Sequence, residues 1–213
     1  MRLRTLLPFA DRVDAGRQLA RRVHHLAAPD VVVLGLPRGG VPVAFEVARE
    51  LGAPLDVIVV RKLGYPFRPE LAMGAIGEDG CEVLDRAEVA LHGVTDELVR
   101  AVERREREEL EARVRRLRGD RERIDLTART ALIVDDGIAT GATAQVACRV
   151  ARLQGAARVV VAAPVAPASA AEELDAADAL VVVESPEPFG AVGRWYRRFE
   201  PVTDEEVAAL LNV

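Results

Sequence analysis

One thirteen-residue segment, residues 131–143, constrains the fold of this chain more than any other. It reads Ala-Leu-Ile-Val-Asp-Asp-Gly-Ile-Ala-Thr-Gly-Ala-Thr, an apolar run followed by two carboxylates and a loop of small and hydroxyl-bearing residues. The apolar run predicts a buried strand, so Asp135 and Asp136 lie at its carboxyl end. In open α/β sheets ligands bind at this edge. The segment therefore predicts a ligand site at the carboxyl edge of a sheet.

The loop after the acidic pair has the composition of an anion cradle. It comprises residues 139–143, and the next helix is expected to begin at about Ala142. Backbone N–H groups at a helix start, together with the hydroxyls of Thr140 and Thr143, suit a phosphate. Carboxylates accept hydrogen bonds from hydroxyl groups but repel phosphate, so the ligand should carry a diol beside a monophosphate. A ribose 5-phosphate fits that description.

Other interpretations of residues 131–143 explain less of the segment. A Walker A loop requires Gly-x4-Gly-Lys-Ser/Thr, and the segment has neither that spacing nor a lysine. A phosphoacceptor receiver domain also has an acidic pair at a strand end, usually the first strand, whereas this pair follows the third. A buried strand with an N-capping Asp and a polar turn stays open as the alternative without a ligand.

Composition narrows the class of protein. The chain has 213 residues, half of them apolar, which is enough for one α/β domain with a large core. A net charge of −5 argues against a nucleic-acid partner bound through bulk electrostatics. Cys81 and Cys148 have the spacing of neither a disulfide framework nor a zinc site. Because there is no membrane-spanning apolar window and no leader-like start, we expect a cytoplasmic protein without a membrane partner.

The order of apolar and helical patterns predicts an α/β fold with a doubly wound, mainly parallel five-stranded sheet, in a single domain over residues 1–213. Val- and Ile-rich runs without alternation are typical of parallel strands buried on both faces. Such runs occupy residues 31–36, 55–60, 131–136, 158–165 and 179–185. Helical patterns occupy residues 11–27, 41–51, 142–153 and 169–176. Their alternation implies βαβ crossovers.

An insertion is expected at about residues 63–125, between the second and third strands. It holds a predicted β-hairpin, with strands at 71–77 and 81–84, and then a charged helix over 95–118. The helix carries a thin apolar stripe of Leu98, Val102, Leu110, Val114 and Leu117. Its charged residues include the i,i+4 pairs Glu103/Arg107, Glu109/Arg113 and Glu111/Arg115. We expect a solvated helix, with a homodimer contact along the stripe as the alternative.

Residues 131–143 resemble the signature of the type I phosphoribosyltransferases for phosphoribosyl pyrophosphate (PRPP), a ribose with a 5-phosphate and a 1-pyrophosphate. The resemblance implies that Asp135 and Asp136 hold the ribose hydroxyls. It assigns the 5-phosphate to Ala139, Thr140, Gly141, Ala142 and Thr143. It also implies magnesium as a cofactor, held mainly by PRPP oxygens and water rather than directly by the protein.

The loop Leu36-Pro37-Arg38-Gly39-Gly40, after the first strand, is a second candidate phosphate site. Two glycines let the backbone approach a ligand, and the helix starting near Val41 directs N–H groups at it. Arg38 adds a bidentate donor for phosphate oxygens. The loop resembles the pyrophosphate loop of the same family, and in a doubly wound sheet it meets residues 131–143 at the switch point.

Residues 60–66 resemble the Arg-Lys-x-Gly loop that precedes a mobile flap and hairpin in adenine phosphoribosyltransferase. Lys62 is the only lysine among 29 basic residues. The resemblance gives Lys62 and Arg38 the role of stabilising the charge of the departing pyrophosphate. Coincidence of composition is the alternative for the lysine. Glu78 aligns loosely with a family Glu-Tyr-Gly motif as the carboxylate near the base and leaving group, and an ordinary acidic turn is its alternative.

The C-terminal segment, at about residues 186–213, is expected to form a small hood over the acceptor. Residues 188–199 hold four of the eight aromatic residues of the chain. Because aromatic rings stack on bases, Phe189 and Trp195 are the stacking candidates. The packing of a small hood core explains these rings equally well.

Together these features predict an enzyme that transfers the 5-phosphoribosyl group of PRPP to a nitrogen nucleophile, for example a nucleobase, and releases pyrophosphate. Its expected partners are small molecules, PRPP and an acceptor that the sequence does not identify. The alternative is a non-catalytic PRPP sensor on the same fold. Pyrophosphate release in the presence of candidate acceptors separates the two.

Overall fold

The computed structural model describes residues 9–84 and 86–213, apart from the side chains of Glu70 and Glu88. Residues 1–8, on which the expectation about a leader rests, lie outside this part of the chain. The strands are β1 (Val31–Gly35), β2 (Leu55–Val57), β3 (Val60–Tyr65), β4 (Arg68–Gly77), β5 (Glu82–Leu84), β6 (Thr130–Val134), β7 (Arg158–Val165) and β8 (Ala179–Glu184). Five of them form a parallel sheet in the order β2-β1-β6-β7-β8. The predicted parallel sheet is confirmed.

The centre of this sheet positions the two candidate phosphate loops. β1 and β6 are buried along their whole length, as expected for Val- and Ile-rich parallel strands. They pair in parallel with Gly35 opposite Val134, so they end side by side. β2 lies on the other side of β1. The loops after β1 and β6 therefore leave the same edge of the sheet at its switch point.

Helices cover both faces of the parallel sheet. They are α1 (Arg12–Val23), α2 (Gly40–Leu51), α3 (Arg86–Leu91), α4 (Asp96–Arg118), α5 (Ala142–Leu153), α6 (Ala170–Glu173) and α7 (Asp204–Leu211). α1 and α2 pack on one face, for example through Leu19 and Val47, and α5 packs on the other through Ala147 and Val150. The fold is therefore doubly wound, as predicted. None of the helices in the described ranges combines the length and apolarity of a membrane span.

The insertion forms a second sheet, which is antiparallel and has the order β3-β4-β5. β4 and β5 are the predicted hairpin. β3 is a correction, because the resemblance suggested a loop at residues 60–66. Instead, Val60–Tyr65 pairs with β4, with Lys62 opposite Ala75. Leu63 and Tyr65 are buried while Lys62 is exposed, which is the alternation of a half-buried strand.

The long helix α4 packs against the rest of the chain. Thr95 caps its N-terminus by accepting a hydrogen bond from the Leu98 N–H group. Val102, Leu110 and Leu117 of its stripe belong to a core cluster that also contains residues of β3, β4 and α7. The charged side of α4 is exposed, as expected, whereas the stripe is buried within this chain and so does not form the homodimer contact that was the alternative. The strand that covers it, β3, was not predicted.

Charged side chains of α4 only partly follow the predicted pairing. Glu103 and Arg107 form an ion pair at 2.6 Å, and Glu111 and Arg115 lie 3.9 Å apart. Arg113, expected to pair with Glu109, instead donates through Nη2 to the main-chain oxygen of Pro37 at 3.2 Å. This hydrogen bond joins α4 to the loop after β1.

The segment after β8 packs as a small cluster of rings against the start of α1. The rings of Phe9 and Tyr196 lie 5.5 Å apart, and Phe199 lies 4.8 Å from Tyr196. The Phe9 N–H group donates to the main-chain oxygen of Trp195 at 2.6 Å. The hood is thereby fixed to the chain segment that enters α1.

Candidate functional site

The acidic pair lies where β6 ends, directly against the loop after β1. A Cβ atom at Gly39 would overlap the carboxylate of Asp136, and a Cβ at Gly40 would lie 2.8 Å from the Cα of Asp135. A glycine at each position allows this approach, since any side chain would meet the pair. The structure therefore brings together the two loops that the sequence predicted to meet.

Each carboxylate of the pair has one engaged oxygen. Oδ1 of Asp135 accepts the main-chain N–H of Asp136 at 2.8 Å, and Oδ2 of Asp136 accepts the Nε–H of Arg12 at 2.8 Å. The two carboxyl groups are also close enough to share a proton in a side-chain hydrogen bond, and their other oxygens face the site. Two acceptors on adjacent residues match a diol, which has two hydroxyl donors.

Burial changes the charge of the pair. It raises the pKa of both carboxyl groups, and the neighbouring Asp136 carboxylate raises the pKa of Asp135 further. Arg12 acts in the opposite direction on the pKa of Asp136, through its hydrogen bond and its positive charge. The pair therefore carries less negative charge at neutral pH than two ordinary aspartates would.

Two side chains that sequence reasoning missed hold Asp136. Arg12 has only 12% of its side chain exposed, donates through Nη1 to the main-chain oxygen of Glu200 at 2.7 Å, and lies 3.9 Å above the ring of Phe199. The Tyr196 hydroxyl donates to the main-chain oxygen of Asp136. Burial raises the pKa of Tyr196, which keeps this phenol protonated as a donor. Arg12 is 124 residues from Asp136, so no local pattern indicated the contact.

The loop of residues 139–143 forms a concave surface at the start of α5. The helix begins at Ala142, as expected, and Gly141 before it has a φ of 69°, a left-handed conformation that favours glycine. The loop borders a cavity of about 160 Å³ that Asp135 also lines. Thr140 and Thr143 are exposed. First-turn N–H groups have no intrahelical acceptor, so this loop can bind an anion.

The loop after β1 presents its arginine toward α7. Nη1 of Arg38 lies 3.7 Å from Oδ1 of Asp204, and 48% of the arginine side chain is exposed. Oδ2 of Asp204 lies 3.4 Å from Nε of Arg116. The Pro37–Arg38 peptide bond is cis. Arg38 was predicted as a phosphate-binding residue of this loop. Arg116 comes from the insertion, and the sequence did not indicate that it lies here.

Glu78 is not placed for the role that the resemblance implied. Both oxygens of its buried carboxylate accept hydrogen bonds from Arg118. Arg118 also donates to Oδ1 of Asp56 at 2.9 Å and to the main-chain oxygen of Val57 at 3.0 Å. With both oxygens engaged, this carboxylate joins the end of β4 to β2 and α4. The assignment of Glu78 as a carboxylate near the base and leaving group is therefore corrected to a structural one.

Lys62 lies on β3 with its side chain exposed. The adjacent Arg61 is engaged by Glu106, with its Nε 2.8 Å from Oε2. Of these two cations, Lys62 is therefore the one exposed to solvent. Its role at the pyrophosphate stays a prediction.

Phe189 and Trp195 are half-buried in the hood. Nε1 of Trp195 donates to the main-chain oxygen of Phe189 at 3.0 Å, and both rings pack against the cluster that contains Phe9. The hood touches the loop after β6, because a Cβ atom at Gly137 would overlap Val192. The two rings therefore help to form a hood core and keep some exposed surface, so stacking on a base also stays a prediction.

The fold and the site together define a class of protein. A doubly wound parallel sheet with an acidic pair, a small-residue loop and a Gly-Gly loop at its switch point suits a phosphorylated sugar. The model of the phosphoribosyl transferase domain family matches residues 6–192. The chain belongs to this family.

Relatives support the same assignment. Two Mycobacterium tuberculosis proteins, from strains CDC 1551 and H37Rv, carry the provisional name phosphoribosyl transferase. Each is 56% identical over 205 residues, covering 96% of this chain and 46% of the relative. The chain thus spans about half the length of these relatives. The crystal structure of TT1426 from Thermus thermophilus is 44% identical, has a TM-score of 0.84, and covers 96% of this chain and 97% of that one.

Proposed function

We propose that the protein is a cytoplasmic phosphoribosyltransferase of nucleotide metabolism, which transfers the 5-phosphoribosyl group of PRPP to a nitrogen nucleophile and releases pyrophosphate. One observation carries the proposal. Asp135 lines the cavity of the 139–143 loop, and the adjacent Asp136 touches Gly39 of the other loop, so the acidic pair lies between the two candidate phosphate loops. PRPP has the matching order of groups: a 5-phosphate, a diol and a pyrophosphate.

Each part of the site then has a role in binding. Asp135 and Asp136 accept hydrogen bonds from the ribose hydroxyls and orient the ring. The N–H groups and hydroxyls of residues 139–143 bind the 5-phosphate. The main chain of Gly39 and Gly40 allows close approach of the pyrophosphate.

The reaction needs charge stabilisation more than acid–base chemistry. The lone pair of the acceptor nitrogen forms a bond to C1 of the ribose, the bond between C1 and the pyrophosphate oxygen breaks, and C1 inverts. Where the acceptor nitrogen carries a hydrogen, its proton passes to water. Pyrophosphate leaves with the bonding electrons, and the transition state resembles an oxocarbenium ion. Arg38 and Lys62 stabilise the departing negative charge. Both side chains are exposed enough to turn toward it.

Magnesium is proposed to enter together with PRPP. Within the described ranges, no group of three or more His, Cys, Asp or Glu side chains could hold a metal ion. The carboxylate oxygens of Asp135 and Asp136 are of the type that magnesium accepts beside phosphate and water. The ion is held mainly through oxygens of PRPP and water, and when bound it offsets the negative charge of the pyrophosphate.

The test is to incubate the protein with Mg-PRPP and a panel of nucleobases and other nitrogen nucleophiles, and to measure pyrophosphate release. The matched control is Asp135→Asn with Asp136→Asn, which keeps the shape of the pair and removes its charge. We expect turnover with at least one acceptor and its loss in the control. Binding of PRPP by calorimetry without turnover across the panel would favour the non-catalytic sensor. Absence of PRPP binding would overturn both functions.

A further inference from the structure

Three arginines gather around one carboxylate beside the loop after β1. Arg38, Arg113 and Arg116 form this arginine cluster. The carboxylate is that of Asp204, with Oδ1 3.7 Å from Arg38 and Oδ2 3.4 Å from Arg116. Arg113 donates to the main-chain oxygen of Pro37 and thus lies at the same loop. The cluster joins residues of the loop, α4 and α7.

The charges of the arginine cluster favour an anion at its centre. Burial lowers the pKa of Arg113, the carboxylate of Asp204 raises it, and the positive charges of Arg38 and Arg116 lower it. Like charges at this range repel one another, and an anion among them removes the repulsion. Asp204, and Glu205 through its interaction with Arg38, provide two negative charges against three positive charges. A pyrophosphate group would provide more, and guanidinium groups bind phosphate oxygens in a bidentate manner.

Capping does not account for the contacts of Asp204, although an acidic side chain in the first turn also favours the helix dipole. It is the first residue of α7, but the capping box is made by Thr203 and Glu206. The helix therefore does not need the Asp204 carboxylate as a cap. The ion pairs of this carboxylate are with Arg38 and Arg116 of the arginine cluster, and Arg38 precedes Gly39, which touches Asp136.

We propose that the carboxylate of Asp204 competes with the pyrophosphate group of the ligand for the arginine cluster. This competition limits how tightly the cluster binds PRPP and released pyrophosphate. The inference rests on the proposed function and adds a residue that limits affinity at the same site. Both ion pairs of Asp204 are longer than 3.3 Å and involve exposed arginines. Such pairs are weak, so a phosphate group can displace the carboxylate and can later be displaced by it.

Asp204→Asn is the direct test, with inorganic pyrophosphate as the probe, both with and without magnesium. Removal of the competing charge should tighten pyrophosphate binding by at least about threefold in calorimetry. The matched control is Asp96→Asn, since Asp96 is also the first residue of a helix capped by a threonine, in α4. The control should bind pyrophosphate like the parent. Circular dichroism of both variants checks that the fold is intact.

A second pair of variants tests the arginine side of the interaction. Arg116→Gln should weaken pyrophosphate binding by at least about threefold. Arg115→Gln, the control on the same helix, should not, because Arg115 lies near Glu111 and not Asp204. The inference is overturned if Asp204→Asn binds pyrophosphate as the parent does or more weakly, or if Asp96→Asn tightens binding equally. The proposed function still stands in that case if the parent turns over PRPP. If no variant, including the parent, binds PRPP or pyrophosphate, both are overturned.

Discussion

The Nε–H group of Arg12 donates to Oδ2 of Asp136 across 2.8 Å and thereby joins the first turn of α1 to the end of β6. The guanidinium is itself held, since it stacks on Phe199 and donates to the main-chain oxygen of Glu200. Burial raises the pKa of Asp136, and Arg12 opposes that rise. The charge available to bind a ribose hydroxyl therefore depends on one arginine from a distant part of the sequence.

We expect Arg12→Gln to weaken Mg-PRPP binding at neutral pH and to shift the binding profile to higher pH. Without the arginine, the pKa of Asp136 rises further, so a higher pH is needed to ionise the carboxylate that accepts the hydroxyl. Calorimetric titrations across the neutral and alkaline range measure the shift. Arg12→Lys keeps the positive charge and should recover part of the binding. A pH profile that does not move in the glutamine variant would contradict this role.

Asp135→Asn combined with Asp136→Asn should lower PRPP affinity more than about tenfold, which corresponds to about 1.4 kcal/mol. The amides keep the size of the carboxyl groups but accept hydroxyl protons less strongly than a carboxylate does. Circular dichroism should show an unchanged fold. Unchanged calorimetric binding would remove the assignment of the pair to the ribose.

The parts of the molecule that were predicted are those with a local sequence signal. Unbroken Val- and Ile-rich runs indicated the parallel sheet, and the loop of residues 139–143 indicated the start of α5 within one segment. Arg12 and Asp204 were missed because each reaches its partner through tertiary packing. β3 was missed because Arg61, Lys62 and Gly64 interrupt any apolar run, so that the strand is defined by its pairing with β4 and not by a local pattern.

The correction at Glu78 gives a stability prediction. Arg118→Met should cost about 3–5 kcal/mol in the free energy of unfolding, because it leaves the carboxylates of Glu78 and Asp56 buried without their cation. Denaturant titration measures the loss. Asp79→Asn is the control, since Asp79 is exposed in its pair with Arg123 and should change stability by less than about 1 kcal/mol. Equal stabilities of the Arg118 variant and the parent would show that the buried pair is not structural.

Ala139 is expected to limit the acceptor. Residues 131–143 resemble the signature of the type I phosphoribosyltransferases, and in the hypoxanthine–guanine branch of that family the position of Ala139 is an Asp that exchanges a proton with the purine N7. An alanine methyl group cannot perform acid–base chemistry. Hypoxanthine and guanine should therefore be poor acceptors compared with adenine or unrelated nitrogen nucleophiles. Efficient formation of a nucleotide from guanine, measured with Mg-PRPP, would show that this inference is wrong.

Lys62→Arg should lower kcat at least about tenfold without a change in stability. The substitution keeps the charge, but a guanidinium is a planar fork that needs more room than a compact ammonium. Loss of a preorganised electrostatic contact costs about 2.7–4 kcal/mol, of which the retained charge should recover a part. Steady-state kinetics with the identified acceptor measure kcat. Turnover at the parental rate would mean that the single lysine reflects composition alone.

The ion pairs between the second sheet and α4 restrain the insertion. Arg61–Glu106 holds β3 to α4, and Arg118–Glu78 holds the end of β4 to the same helix. Opening the whole second sheet would break both ion pairs and expose a buried apolar core, which places such an opening near the free energy of global unfolding. The turn at Phe67, which is 84% exposed, carries no such restraint from the core. We therefore expect motion of the second sheet to be confined to the turn at Phe67, while the rest of the hairpin stays packed on α4.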